Sequence, residues 1–126
     1  MNATAPTRSI ALSAEAGLAR RQVAQTLDDA NWRGDVDGVL LAVHEALVNA
    51  QRHAGGVSQA TACLEGDAFV VEVWDRGKGF RMPRSTAAPD TMAERGRGLF
   101  LMRQLATDVR VSRSAGEVGL RLRFEP

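Results

Sequence analysis

Two stretches near the start of the chain repeat apolar residues at helical spacing. In the first, residues 13–32, apolar side chains recur every three or four positions, at Ala16, Ala19, Val23, Leu27 and Ala30. Ser13 precedes them and is the expected N-cap. The second stretch, residues 37–54, carries a broad apolar surface and stops at Gly55 and Gly56. The pattern therefore predicts two amphipathic helices.

The period then changes to the alternation that is typical of strands. Residues 57–65 and 68–75 predict a hairpin turned by Gly66 and Asp67. One face of its second strand carries Phe69, Val71, Val73 and Asp75, and the other carries Val70, Glu72 and Trp74. Residues 108–115 and 117–125 predict two closing strands, the last alternating Val118, Leu120, Leu122 and Phe124 with Arg121, Arg123 and Glu125. This alternation indicates a sheet with one buried face and one solvated face.

An irregular stretch and a third helix separate the two pairs of strands. Residues 81–95 contain two prolines and three arginines without a sustained period, so they predict a loop. Residues 98–109 predict a helix that begins at the Gly-x-Gly of Gly96 and Gly98. Helices thus precede, interrupt and follow strands, and we expect an α/β (α+β) two-layer sandwich formed by one domain over residues 1–126.

Composition narrows the class of protein. The chain has 126 residues, 44% of them hydrophobic and 25% charged, which is enough for one sizeable core. Its net charge of +1, from 16 basic and 15 acidic residues, gives no bulk attraction to nucleic acid or to a membrane surface. The single Cys63 excludes an internal disulfide, and no apolar run reaches the length of a signal peptide or membrane span. We therefore expect a cytoplasmic protein in which any phosphate site is local.

The second predicted helix carries polar residues at intervals of four, Glu45, Asn49 and His53, with Arg52 beside them. Residues at this spacing differ by about 40° around the helix and share one face. For a charged residue such as Glu45 taken alone, the solvated side of an amphipathic helix is the simpler explanation. Asn is a poor residue for a helix interior, however, because its side chain competes for backbone hydrogen bonds. Asn49 is therefore the residue that favours a functional interpretation of this face.

Two glycine-rich segments supply further candidates. Asp75 ends a strand and precedes Gly77 and Gly79. The Asp-x-Gly sequence is also common in hairpin turns, so a turn is the alternative interpretation. Because Asp75 continues an apolar face, its carboxylate needs a partner, and a ligand amine is one candidate. Gly96 and Gly98 stand at a predicted helix start, where unpartnered N–H groups and the helix dipole attract anions. The same glycines are equally compatible with a simple sharp entry into the helix.

Other recognisable site motifs do not fit the sequence. The stretch HEALV lacks the second histidine of H-E-x-x-H, because Val48 occupies that position. One cysteine and two histidines do not make a metal cluster. There is no G-x-x-x-x-G-K-[ST] loop, GRGLFL lacks the third glycine of a dinucleotide motif, and no Ser or Cys pairs recognisably with a histidine. His44 is expected to pack or to face solvent.

The order of the three candidate segments resembles the ATP site of the GHKL superfamily, which includes gyrase, Hsp90-type chaperones, histidine kinases and mismatch-repair ATPases. The motifs are E-x-x-x-N-x-x-x-H-A, D-x-G-x-G-F and G-x-G-L-F-L, within the range Leu40 to Asp108. The HEALVNAQRHA box, the short lid at about residues 81–95 and the RGRGLFLMRQLATDV ending look most like anti-sigma-factor serine/threonine kinases. The resemblance implies the Bergerat fold, with helices on one face of a mixed, mainly antiparallel sheet.

Site roles follow from the resemblance position by position. It implies that Asn49 binds Mg²⁺ through its side-chain oxygen, that Asp75 accepts from the exocyclic amine of adenine, and that Glu45 orients or deprotonates the attacking hydroxyl. The resemblance places Gly77 and Gly79 near the adenine base of the bound ATP. It places Gly96 and Gly98 at the phosphates and Arg95 at the γ-phosphate. The motifs are completed by His53, Phe80 and Leu99, which are also assigned to the ATP site.

The same resemblance implies a Mg-ATP-dependent serine/threonine-protein kinase that acts as an anti-sigma factor. It would phosphorylate a STAS-domain anti-sigma-factor antagonist and hold a sigma factor or another output protein inactive, as a homodimer that contacts neither nucleic acid nor membrane. Two alternatives remain open at this point. One is a nucleotide-binding regulatory protein without phosphotransfer, and the other is a stand-alone catalytic domain of the histidine-kinase type.

Overall fold

The computed structural model of the chain describes residues 9–53, 55–76 and 94–126. Within these residues it contains three α-helices, α1 (Ala16–Asp29), α2 (Val36–His53) and α3 (Glu94–Leu105). It also contains five strands, β1 (Ser9–Ala11), β2 (Val57–Glu65), β3 (Ala68–Asp75), β4 (Asp108–Ser114) and β5 (Glu117–Phe124). The predicted two-layer α+β architecture is confirmed.

The strands form one sheet in the order β1-β2-β3-β5-β4. Each pairing among the described strands is antiparallel. The parallel pairing expected of a mixed sheet is therefore absent from this part of the chain. The β2–β3 hairpin has the predicted bounds, and Val73 stands between Ala60 and Leu120 in the register. β1 was not predicted, because a strand of three residues is too short to show alternation.

The core lies between the helices and one face of the sheet. The strand residues predicted to face inward are buried there, including Phe69, Val71, Leu120 and Leu122. The opposite face carries ion pairs such as Arg121–Glu65 and Arg110–Asp108, as a solvated face should. α2 contacts α1, α3, β2 and β3, so it is the central helix of its layer. Residues on different sides of α2 therefore meet different neighbours.

The first two helices each begin at a side chain that caps their N-terminus. The N-cap of α1 is Glu15 and not Ser13, because the Glu15 carboxylate accepts the backbone N–H groups of Gly17 and Leu18. Ser13 instead accepts from the backbone N–H of Glu15. The side chain of Asp35 caps α2 by accepting the N–H of Gly38 at 3.1 Å.

The far end of α2 closes where the sequence predicted a stop. Gly55 and Gly56 have φ angles of 77° and 111°, which glycine adopts without strain. Gly56 also donates its N–H to the carbonyl of Ala50 at 3.0 Å. α2 ends at His53, one residue before the predicted end, and Ala54 lies outside the described residues. This turn sends the chain directly from α2 into the sheet.

α3 differs most from its prediction. It begins at Glu94, four residues before the expected start at Gly98, and ends at Leu105 instead of residue 109. Apolar periodicity did not reveal the first turn, because Glu94, Arg95 and Arg97 are all polar. Glu94 and Arg95, which were assigned to the lid, therefore belong to the helix. Within the described residues, no helix is both long and apolar enough to span a bilayer.

Candidate functional site

Glu45 and Asn49 lie about one turn apart on α2, and Asn49 faces Gly98 of α3. Glu45 is half-buried, whereas Asn49 is only 7% exposed. The polar side of this helix therefore passes from a partly exposed carboxylate to a buried amide. A solvated helix face does not explain the burial of Asn49. The burial therefore favours a role in ligand binding for this residue.

The amide of Asn49 is buried with an unused donor. Within the described part of the chain, its Nδ2 has no hydrogen-bond partner. Leaving a buried donor unsatisfied costs about 1 to 3 kcal/mol, so a group that accepts from this amide would be bound favourably. Gly98 of α3 lies directly against it, and a Cβ at that glycine would come within 2.7 Å of Nδ2. The polar group is thus enclosed between α2 and the first half of α3.

Asp75 is the last residue of β3 and is 4% exposed. It continues the inward face of Val71 and Val73, as predicted, so its carboxylate lies under the helical layer. Asp75 interacts with another group of the protein, which compensates part of the cost of burying a charge. A carboxylate offers about four lone-pair sites, so a ligand donor can still be accepted.

Chain connectivity brings the end of α2 and the end of β3 to the same edge of the domain. α2 ends at His53, and Val57 begins β2 four positions later. Val57 is the register partner of Asp75. Gly98 packs on Asn49, so the C-terminal half of α2 also meets α3. The structure therefore brings the α2 and α3 motifs into contact, and it places Asp75 beside the first residue of β2, just after the turn that ends α2.

The start of α3 contributes backbone N–H groups. Arg95 and Gly96 belong to its first turn, where the N–H groups have no partner within the helix. Gly98 and Leu99 lie beyond this turn, so their N–H groups are engaged in the helix. The side chain of Leu99 is 1% exposed and belongs to the core. The N–H groups of α3 without a partner inside the helix therefore belong to its first turn, which ends before Gly98.

Part of the predicted site falls in the segment after β3. Gly77, Gly79 and Phe80 lie outside the described residues, as do the lid positions 81–93. Among the residues that are described, no three His, Cys, Asp or Glu side chains gather in a way that could hold a metal ion. Mg²⁺ is commonly held by one or two protein oxygens together with substrate phosphates. The side-chain oxygen of Asn49 is a suitable donor of that kind.

Two features escaped sequence reasoning. The contact of Gly98 with Asn49 was not predicted, although a glycine inside a helix is a recognised sign of close approach by a neighbouring group. His44 is half-buried, and its Nδ1 is buried without a hydrogen-bond partner in the described residues. No sequence signal distinguishes this environment from simple packing.

Comparison with known proteins places this geometry in a family. The chain resembles the crystal structure of the RsbU and RsbW domains of Rv1364c from Mycobacterium tuberculosis, with a TM-score of 0.64 and 22% identity. The match covers 96% of this chain and 32% of that chain, and at this identity it shows the fold. No curated protein matches. The histidine kinase-like ATPase domain family matches residues 8–124. The chain therefore belongs to the histidine kinase-like ATPase domain family.

Proposed function

We propose that this protein is a Mg-ATP-dependent serine/threonine-protein kinase that acts as an anti-sigma factor in a partner-switching system. Membership of a histidine kinase-like ATPase family implies ATP binding and leaves the acceptor of the phosphoryl group open. The sequence resemblance to anti-sigma-factor kinases supports a protein hydroxyl as that acceptor.

The observation that carries the proposal is the buried amide of Asn49. It is 7% exposed, its Nδ2 has no partner in the described chain, and it stands one helical turn from the carboxylate of Glu45. Four residues correspond to a rise of about 6 Å along a helix. A metal ligand and a base at that separation suit a reaction in which positioning and charge neutralisation supply most of the catalysis.

Glu45 would act on the attacking group. Its half-buried side chain would accept the proton of a serine or threonine hydroxyl, whose oxygen forms a bond to the γ-phosphorus of ATP. The bond between that phosphorus and the β–γ bridging oxygen breaks, and ADP leaves with the bond's electron pair. Mg²⁺, held through Asn49, would neutralise charge on the phosphate oxygens.

Asp75 and the start of α3 would bind the two ends of the nucleotide. The buried carboxylate of Asp75 would accept from the exocyclic amine of adenine. The N–H groups of the first turn of α3, with Arg95 and Gly96, would hold the phosphates. Gly77 and Gly79 are proposed to pass beside the base.

The partners are proposed from the resemblance and from the matched fold. The structure of Rv1364c includes a domain named RsbW, which agrees with the motif order that resembles anti-sigma-factor kinases. We therefore propose a STAS-domain antagonist as the phosphate acceptor and a sigma factor or other output protein as the sequestered partner. We propose a homodimer as the working unit.

The decisive experiment is transfer of labelled phosphate from ATP. The protein is incubated with Mg²⁺, γ-labelled ATP and a STAS-domain protein encoded near its own gene, and the acceptor residue is mapped. We expect label on a serine or threonine, with loss of most transfer in Glu45→Gln and Asn49→Ala. Glu65→Gln is the matched control, because Glu65 lies on the solvated sheet face in an ion pair with Arg121. Transfer that is equal in all four proteins contradicts both proposed roles.

The same assay separates the alternatives. Nucleotide binding without transfer to any acceptor would favour a regulatory binding protein. Acid-labile label on a histidine would favour a catalytic domain of the histidine-kinase type, because phosphoserine survives acid and phosphohistidine does not.

A further inference from the structure

The backbone conformation at Gly98 does not require a glycine. It is the fifth residue of α3, and an interior helical glycine destabilises a helix by about 1 kcal/mol relative to alanine. The described glycines with positive φ are Gly55, Gly56, Gly66 and Gly116, and Gly98 is not among them. The reason for a glycine at this position is therefore the room that a side chain would occupy.

The space that a side chain would need at Gly98 is filled by Asn49. A Cβ at Gly98 would lie 2.7 Å from Nδ2, 3.1 Å from Oδ1 and 3.2 Å from Cγ of that residue. Both amide atoms are close, so the contact does not depend on which way the amide is turned. Asn49 is 7% exposed, and its short side chain has little room to move away. α3 thus packs on the amide itself.

We propose that Gly98 is a positioning residue, whose missing side chain lets α3 hold the Asn49 amide in the orientation that binds Mg²⁺. The metal part of this inference rests on the proposed function, whereas the packing part does not. It changes the role assigned to Gly98 from the sequence, because its own N–H is engaged within the helix and is not available to a phosphate.

The arrangement has a consequence for the whole site. The same helix that presents N–H groups at its first turn also holds the metal ligand one turn later. The distance between the phosphate-binding groups and the Asn49 oxygen is then fixed by one rigid element. Groups that orient a metal ligand affect metal affinity by about 10- to 100-fold when they are altered.

A stability cycle tests the packing part without any ligand. Wild type, Gly98→Ala, Asn49→Ala and the double variant are unfolded with denaturant. We expect Gly98→Ala to raise the unfolding equilibrium constant by about tenfold or more when Asn49 is present, and to leave it unchanged or lower it when Asn49 is alanine. An equal effect in both backgrounds overturns the proposal. If Gly98→Ala does not fold, a folded double variant supports it and an unfolded double variant overturns it.

A Mg²⁺ titration tests the metal part. Stabilisation by a fixed concentration of ATP is measured as Mg²⁺ is raised, and we expect Gly98→Ala to need about 10 to 100 times more Mg²⁺ for half of the effect. Gly38→Ala is the matched control, because it is a buried glycine of α2 whose added Cβ would meet Asp35 at 2.5 Å, outside the proposed site. It should leave the Mg²⁺ midpoint unchanged, whatever its effect on stability.

The outcomes distinguish this inference from the proposed function. An unchanged Mg²⁺ midpoint in Gly98→Ala, alongside a shifted midpoint in Asn49→Ala, overturns the positioning role and leaves the proposed function intact. A wild-type protein that shows no stabilisation by Mg-ATP contradicts the proposed function and with it the metal part. The stability cycle still decides the packing part in that case.

Discussion

The buried amide of Asn49 leads to a prediction that separates function from stability. We expect Asn49→Ala to make the protein without nucleotide more stable and the protein with Mg-ATP less stable than wild type. The wild-type amide has an unpartnered Nδ2 within the described structure and lies inside a helix that favours alanine. Residues that serve a site are often unfavourable for the fold that carries them.

The expected gain in stability is the sum of two favourable contributions and one unfavourable contribution. Removing an unsatisfied buried donor contributes about 1 to 3 kcal/mol, and the higher helix propensity of alanine adds about 0.6 kcal/mol. Loss of packing around a residue that is 7% exposed opposes this by about 1 to 2 kcal/mol. The net change is a stabilisation of about 1 kcal/mol. For a chain of 126 residues this corresponds to a rise in Tm of about 3 to 6 °C.

Thermal melts with and without Mg-ATP measure both effects. Nucleotide at about 100 times its dissociation constant should stabilise wild type by about 2.7 kcal/mol, whereas the variant should gain much less. Gln104→Ala is the control, because Gln104 is an exposed residue of α3 and its loss should change stability by less than about 0.5 kcal/mol. A clear loss of stability in nucleotide-free Asn49→Ala would show that the amide is structural. The functional interpretation of its burial would then be wrong.

Three further predictions concern the fold. Leu120→Ala should cost about 2 to 4 kcal/mol in a denaturant titration, because Leu120 is 5% exposed in the core; a loss below about 1 kcal/mol would contradict its place there. Backbone N–H groups of Gly17 and Leu18 lower the pKa of Glu15 below 4.5, so its contribution is present above that pH and is lost as the pH falls through the lowered pKa. Glu15→Gln should therefore melt lower than wild type at neutral pH and alike in strong acid, and a difference that does not vary with pH would refute this. Burial raises the pKa of the Cys63 thiol, so a disulfide reagent at about pH 8 should label it more slowly in the native than in the unfolded protein, and equal rates would contradict the burial.

Elements with strong local signals could be predicted closely from the sequence. The β2–β3 hairpin was predicted to the residue, because alternation on both strands and the Gly66–Asp67 turn agree. The end of α2 was predicted within one residue, because two successive glycines adopt φ angles that stop a helix. In both cases the local sequence and the tertiary structure favour the same conformation.

Other features depend on contacts that no local pattern reveals. β1 has only three residues and gains its hydrogen bonds from β2. The Ser13 prediction was wrong because the longer side chain of Glu15 reaches two N–H groups and takes the capping position. At the site, the motifs identified Asn49 and Asp75, but their burial and the contact of Gly98 follow from helix packing. The sequence therefore indicated which residues to consider and not how they are held.

The proposed function requires that Asn49, Asp75 and the start of α3 form one nucleotide site. Calorimetric titration of wild type, Asn49→Ala and Asp75→Asn with a non-hydrolysable ATP analogue, with and without Mg²⁺, tests this requirement. We expect saturable binding to wild type that Mg²⁺ strengthens, loss of the Mg²⁺ effect in Asn49→Ala, and binding to Asp75→Asn weakened by about tenfold or more. Binding that is absent from wild type, or identical in the three proteins, would show that these residues do not form a nucleotide site.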